Sequence, residues 1–123
     1  MSSTPILGIP VLVHLCTAVQ WQAARDSEEY RPDSLREVGF VHLSDREQVH
    51  LPANRLYAGR TDLMLLQLDS ARLNSPVRWE RGVPTDPDGM LFPHLYGPLP
   101  VAAVIDAAAY LPDRHGVFAP RLG

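Results

Sequence analysis

Gly39-Phe40-Val41-His42-Leu43-Ser44, with Glu47 three residues beyond the serine, is the stretch on which the fold turns. Its β-branched and aromatic residues read as a strand over 39–43. Ser44 with Glu47 then has the spacing of a capping box, so a helix is expected to begin at Asp45. A polar imidazole, His42, sits inside this apolar run. Phe92-Pro93-His94-Leu95-Tyr96-Gly97-Pro98 repeats that placement, and Val11-Leu12-Val13-His14-Leu15 gives it a third time. Leaving a buried polar group without a partner costs about 1–3 kcal/mol. The three strand histidines are therefore expected to converge on one pocket that uses them.

Outward from this stretch the elements fall into order. Residues 10–15 read as a nearly all-apolar, central first strand. Thr17 and Gln20 form a capping box for a helix over 18–27. Residues 30–35 read as a loop or short extended piece. The helix from Asp45 is expected to reach Ala58, kinked at Pro52, with Gly59 as its stop. Asp62-Leu63-Met64-Leu65-Leu66-Gln67-Leu68 is a buried strand, and Asp69-Ser70 cap one turn through Leu73. Residues 77–80 and 91–96 are extended, separated by a turn-rich loop over 82–89. A last core strand is read from 100 to 105, continuing to Tyr110. Helices early and strands late argue for an α+β fold, two helices packed on a split, mostly antiparallel set of strands.

The chain has 123 residues, 46% of them hydrophobic and 20% charged, enough for one domain with a real core. That domain is expected over 10–112, between a flexible N-terminus (1–9) and a C-terminal tail (113–123) with frayed ends. A formal charge of −3 supplies no basic footprint for a nucleic-acid backbone. The single cysteine, Cys16, is read as a small buried hydrophobe in a reducing compartment. No apolar run approaches the roughly 20 residues of a membrane span. A soluble, cytoplasmic protein is expected; its oligomeric state is not readable.

Strand side chains alternate between faces. Phe40, His42 and Ser44 share one face, as do Phe92, His94 and Tyr96, while His14 lies with Leu12 and Cys16. His50 and His115 are read as surface residues. In Arg78-Trp79-Glu80, Arg78 and Glu80 share a face and Trp79 is read as core. Imidazole suits zinc, copper or iron, but no histidine pair has a short ligand spacing such as H-x₃-H, so no metal is expected. Neither phosphate-cradling glycine loops nor a G-x-S-x-G nucleophile motif occurs.

The phrases GFVHLS, NRLYAG, RWE and FPHLYGPL, in that order, resemble the mainly bacterial family called domain of unknown function 952, over about residues 10–110. More remotely this family resembles ADP-ribosyltransferases, and among them the RNA 2′-phosphotransferases. That resemblance implies an ADP-ribosyltransferase-like fold with NAD or a related nucleotide as small-molecule partner. It implies that His14 holds a ribose, that His42 and Ser44 form a second binding motif, and that Tyr57 stacks on nicotinamide. Losing nicotinamide leaves an oxocarbenium-like ribose that a carboxylate can stabilise. His94 stands where the superfamily has its late carboxylate, and Glu80 lies earlier. The candidates are thus His14, Glu80 and His94 for catalysis, with His42, Ser44, Tyr57 and Tyr96 for the cofactor. A non-catalytic ligand- or partner-binding module on the same fold is the alternative.

Overall fold

The computed structural model describes residues 11–121. The expectation of a flexible 1–9 and the strand position assigned to Pro10 lie outside them. Nine strands and three α-helices are present among the described residues. The strands are β1 (Leu12–Thr17), β2 (Glu29–Tyr30), β3 (Val41–His42), β4 (Ser44–Asp45), β5 (Leu63–Leu68), β6 (Val77–Arg81), β7 (Leu91–Leu95), β8 (Leu99–Pro100) and β9 (Val104–Ala109). The helices are α1 (Ala18–Ala24), α2 (Asp33–Val38) and α3 (His50–Tyr57). The architecture is α+β, and every strand pair is antiparallel.

One sheet runs β4-β1-β5-β9, another β3-β7-β6, and β2 pairs with β8. β1 is central, as its apolar sequence requires. It pairs with β5 along its whole length, from Leu12 opposite Leu68 to Thr17 opposite Leu63. Its alternation serves two cores. Leu12 and Cys16 join Val41, Leu43, Leu66, Leu68, Leu95 and Leu99 between the two larger sheets. On the other face Val13 packs with Val49, Ala53, Leu63, Leu65, Tyr110 and Phe118.

The stretch 39–45 joins the two sheets. β3 belongs to one, β4 to the other, and only Leu43 separates them. Leu43 is buried and its N–H donates to the Pro93 carbonyl at 3.0 Å, so the crossing is anchored as it leaves β3.

The two expected capping boxes differ in outcome. The Thr17–Gln20 capping box forms, each side chain accepting from the other residue's backbone N–H, and α1 ends at Ala24 rather than at 27. The expected Ser44–Glu47 box does not form. Asp45 takes that role: its Oδ1 accepts from the N–H groups of Glu47 and Gln48, and Gln48 Oε1 accepts from Asp45 N–H. Both residues belong to β4, Ser44 opposite Val13 and Asp45 opposite Leu12, and Ser44 is buried there. A helical turn follows, and α3 proper starts only at His50.

The expected pair of helices is three. Residues 33–38, the first three of which fall in the expected loop or short extended piece, form α2, which closes on Gly39 at φ +87°, a left-handed position that suits glycine. Trp79, expected in the core, is 41% exposed because β6 is an edge strand and Trp79 lies opposite Pro93. β9 is likewise a half-exposed edge strand rather than a core strand, preceded by a 3₁₀ turn over Val101–Ala103. His50, expected on the surface, is partly buried with Nδ1 lacking a hydrogen-bond partner among the described residues.

The C-terminal stretch from 116, expected to fray, is docked through residue 121. Phe118 is 1% exposed against Tyr110, and Asn54 of α3 brackets its backbone, accepting from its N–H at 2.7 Å and donating to its carbonyl at 3.0 Å. Deleting a buried aromatic side chain costs about 3–5 kcal/mol. Phe118→Ala is expected to lose that much in urea unfolding; a loss below about 1 kcal/mol would show that this segment lies outside the cooperative fold.

Candidate functional site

His14 faces the opposing sheet from β1, and its Nδ1 lies 2.7 Å from the carbonyl oxygen of His42 on β3. A carbonyl only accepts, so Nδ1 carries the proton and Nε2 is left with its lone pair. That Nε2 is buried with no hydrogen-bond partner among the described residues. Burial drives the pKa down from 6.5 to about 4, with the His42 carbonyl opposing and the His42 ring reinforcing the shift. At neutral pH His14 is therefore an uncharged imidazole that presents only an acceptor.

The residue lines a cavity of about 590 Å³, within the usual range for small-molecule sites. His42 and His94 line the same cavity, as do Ser44 and Tyr57. All three strand histidines thus meet at one hollow. β3 and β7 pair directly, placing His42 opposite His94, with ring centroids 5.7 Å apart and edge-to-face. Phe40 covers His94, stacked at 3.9 Å and 16°, and meets the His42 ring at 4.9 Å. Burial is the main cause of the lowered His42 pKa, followed by the charges of His94 and Arg55.

Glu80 and Tyr96 are not part of the cavity wall. Arg78 and Glu80 share one face of β6, as expected from their spacing, and lie opposite His94 and Phe92 of β7 on that face of the sheet. Glu80 Oε1 lies 2.8 Å from His94 Nδ1 and also accepts from the Tyr96 hydroxyl. The Arg78 guanidinium sits over the Tyr96 ring at 4.9 Å. The bonds from Tyr96 and then His94 hold the Glu80 carboxyl below its ordinary pKa, so it stays a carboxylate. The same Glu80 bond raises the Tyr96 phenol above its ordinary value, keeping it a donor. Glu80 therefore reaches the histidine cluster through His94.

Several wall residues had no sequence signal strong enough to name them. Tyr30 meets His14 edge-on at 5.6 Å. Arg55 of α3 pairs with Asp86 of the 82–89 loop at 3.4 Å, and Asp86 Oδ2 accepts from Val83 N–H at 2.9 Å, folding the loop toward the helix. Arg81 and Asp33 complete the charged part of the wall. Arg55 stands inside the NRLYAG phrase; α2, which brings Asp33, was not read as a helix at all. Among the described residues no group of three or more His, Cys, Asp or Glu is placed to hold a metal ion. No helix among them is long and apolar enough to cross a membrane.

A β1 histidine fixed by a carbonyl and a β7 histidine held by a carboxylate thus line one cavity of an α+β domain. Residues 15–107 match the family model described as "Protein of unknown function (DUF952)", and the chain belongs to that family. It is similar to protein CC0527 from Caulobacter crescentus. The crystal structure of that protein is 29% identical with a TM-score of 0.73, covering 89% of this chain and 93% of that one. Its solution structure is 30% identical with a TM-score of 0.73, covering 94% and 95%. No curated protein matches.

Because His14 is held neutral in the fold but titrates near 6.5 when unfolded, protons bind the unfolded state preferentially between those values. Its contribution is complete above about pH 6.5 and is lost as pH falls toward 4, amounting to about 3 kcal/mol. His14→Gln is expected to flatten the stability profile over this window relative to the parent. Parallel profiles, measured by urea unfolding at each pH, would contradict the assignment.

Proposed function

We propose that the cavity binds NAD or a related nucleotide, and that the domain is ADP-ribosyltransferase-like, acting at the ribose carbon that carries nicotinamide. The observation that carries this reading is the unpartnered His14 Nε2. A buried acceptor costs free energy unless a ligand donor meets it, and a ribose hydroxyl is such a donor. Tyr57 offers an aromatic face on the same wall, suited to nicotinamide. Arg55 and Arg81 offer guanidinium groups for the phosphates. His42 and Ser44 supply polar contacts beside His14, and the family resemblance in GFVHLS and FPHLYGPL points the same way. A cytoplasmic setting, where NAD is abundant, goes with this reading and with a single buried free cysteine.

A second reading, a binding module without catalysis, is favoured by one feature. The Glu80 carboxylate stands behind His94 instead of on the wall, where it would meet an oxocarbenium-like ribose directly.

Calorimetry with NAD is expected to give saturable heat for the parent chain and binding weaker by about tenfold for His14→Ala, the worth of one buried hydrogen bond. Heat absent from both would remove the nucleotide reading. Binding by the parent without nicotinamide release over long incubation would favour the module.

A further inference from the structure

We propose that His94 is the proton acceptor of this cavity and that Glu80, with Tyr96 behind it, is a positioning residue that sets the His94 tautomer. The chemical consequence rests on the nucleotide reading above and narrows it: the second substrate is a hydroxyl compound or water. Glu80 is a carboxylate and accepts only, so at 2.8 Å it takes the proton of a neutral His94 on Nδ1. The lone pair is then on Nε2, at the opposite side of a ring that itself lines the cavity. Phe40, stacked at 3.9 Å, covers one face of the ring and restricts its rotation. The Tyr96 hydroxyl, under Arg78, donates to the same Glu80 oxygen, fixing the carboxylate in turn.

This is the arrangement of an oriented general base, a third group holding the imidazole that accepts the proton. His14 does not share the work. Its Nε2 is also an acceptor, but burial leaves it too weak a base to hold a proton near neutral pH. The two imidazoles therefore divide the cavity: His14 receives a hydrogen bond, and His94 takes a proton.

Written with NAD, the acceptor oxygen forms a bond to ribose C1′ as the C1′–N bond to nicotinamide breaks. The bonding pair leaves on nicotinamide, which departs neutral. The acceptor's proton passes to His94 Nε2 and then to solvent. With water as acceptor the products are ADP-ribose and nicotinamide. The balance needs no other reactant. A carboxylate touching C1′ would chiefly stabilise positive charge, whereas an imidazole at this place serves an acceptor that must lose a proton. That difference fits an acceptor that sheds a proton as it bonds to C1′, and water or a hydroxyl compound is the one the proposal takes.

Two readouts on the 123-residue chain test the proposal, and they fail separately. Long-range ¹H–¹⁵N spectra at neutral pH are expected to show His94 protonated on Nδ1 in the parent and in Tyr96→Phe. Glu80→Gln is expected to populate the other tautomer or a mixture. An unchanged His94 tautomer in a folded Glu80→Gln chain would overturn the positioning role, whether or not NAD binds. The second readout is nicotinamide release from saturating NAD, with calorimetric affinity measured in parallel. Glu80→Gln and His94→Gln are expected to keep NAD affinity within about threefold while the release rate falls roughly 10²- to 10⁴-fold, the range of general-base catalysis. Tyr96→Phe is expected to lose rate by a smaller factor, and it serves where Glu80→Gln does not fold. NAD bound by the parent but never cleaved, or cleaved equally fast without Glu80 or His94, would overturn the catalytic assignment. NAD left unbound by the parent would overturn the nucleotide reading and the hydroxyl transfer drawn from it.

Discussion

The hydrogen bond from His14 Nδ1 to the His42 carbonyl is the interaction on which the site depends. It ties the central strand of one sheet to the first strand of another, at the place where the chain passes between them. It also fixes a proton. Because the carbonyl can only accept, the other ring nitrogen is committed as an acceptor, and burial keeps it so at neutral pH. A structural contact and a chemical property of the cavity thus have one cause.

The packing around that bond explains why a cavity forms beside it. β1 places Leu12 and Cys16 on the face that carries His14, and both join the core between the sheets. Val41 and Leu43 reach the same core from the opposite side, leaving Phe40 and His42 to turn toward the hollow. β7 repeats the division, with Leu95 in the core and Phe92 and His94 on the wall. On β3 and β7 one face closes the interior and the other carries the imidazole, whereas His14 shares its face of β1 with the core residues Leu12 and Cys16. Two histidines are then fixed by different partners, one by a main-chain carbonyl and one by a carboxylate. Each ring is held with its proton on Nδ1, and burial is what keeps His14 uncharged.

Much of this was legible in the residues, and the misreadings have physical origins. Strand alternation placed His14, His42 and His94 toward one hollow because a period of two is robust wherever one face is buried. It could not tell which apolar strand lies at an edge, so Trp79 and the last strand were assigned to the core. Depth in a sheet depends on pairing partners far along the chain. The cap was misplaced by one residue because Ser44 and Asp45 both carry capping side chains; Ser44 is buried on the cavity wall, and the Asp45 carboxylate takes the N–H groups of Glu47 and Gln48. α2 escaped notice because its first turn follows Pro32 and it buries none of its residues, so it has no apolar stripe to detect. Tyr57 was placed on the wall by resemblance alone. Glu80 was named as a candidate, but only the pairing of β6 with β7 reveals that it acts on His94 rather than on the cavity.

The most direct measurement of the account is a crystal of this chain soaked with ADP-ribose. The account predicts ordered ligand density in the 590 Å³ cavity, with a ribose hydroxyl within hydrogen-bonding distance of His14 Nε2 and the Nδ1 contact to His42 preserved. Density elsewhere on the surface, or a His14 ring turned away from the His42 carbonyl on ligand entry, would contradict it.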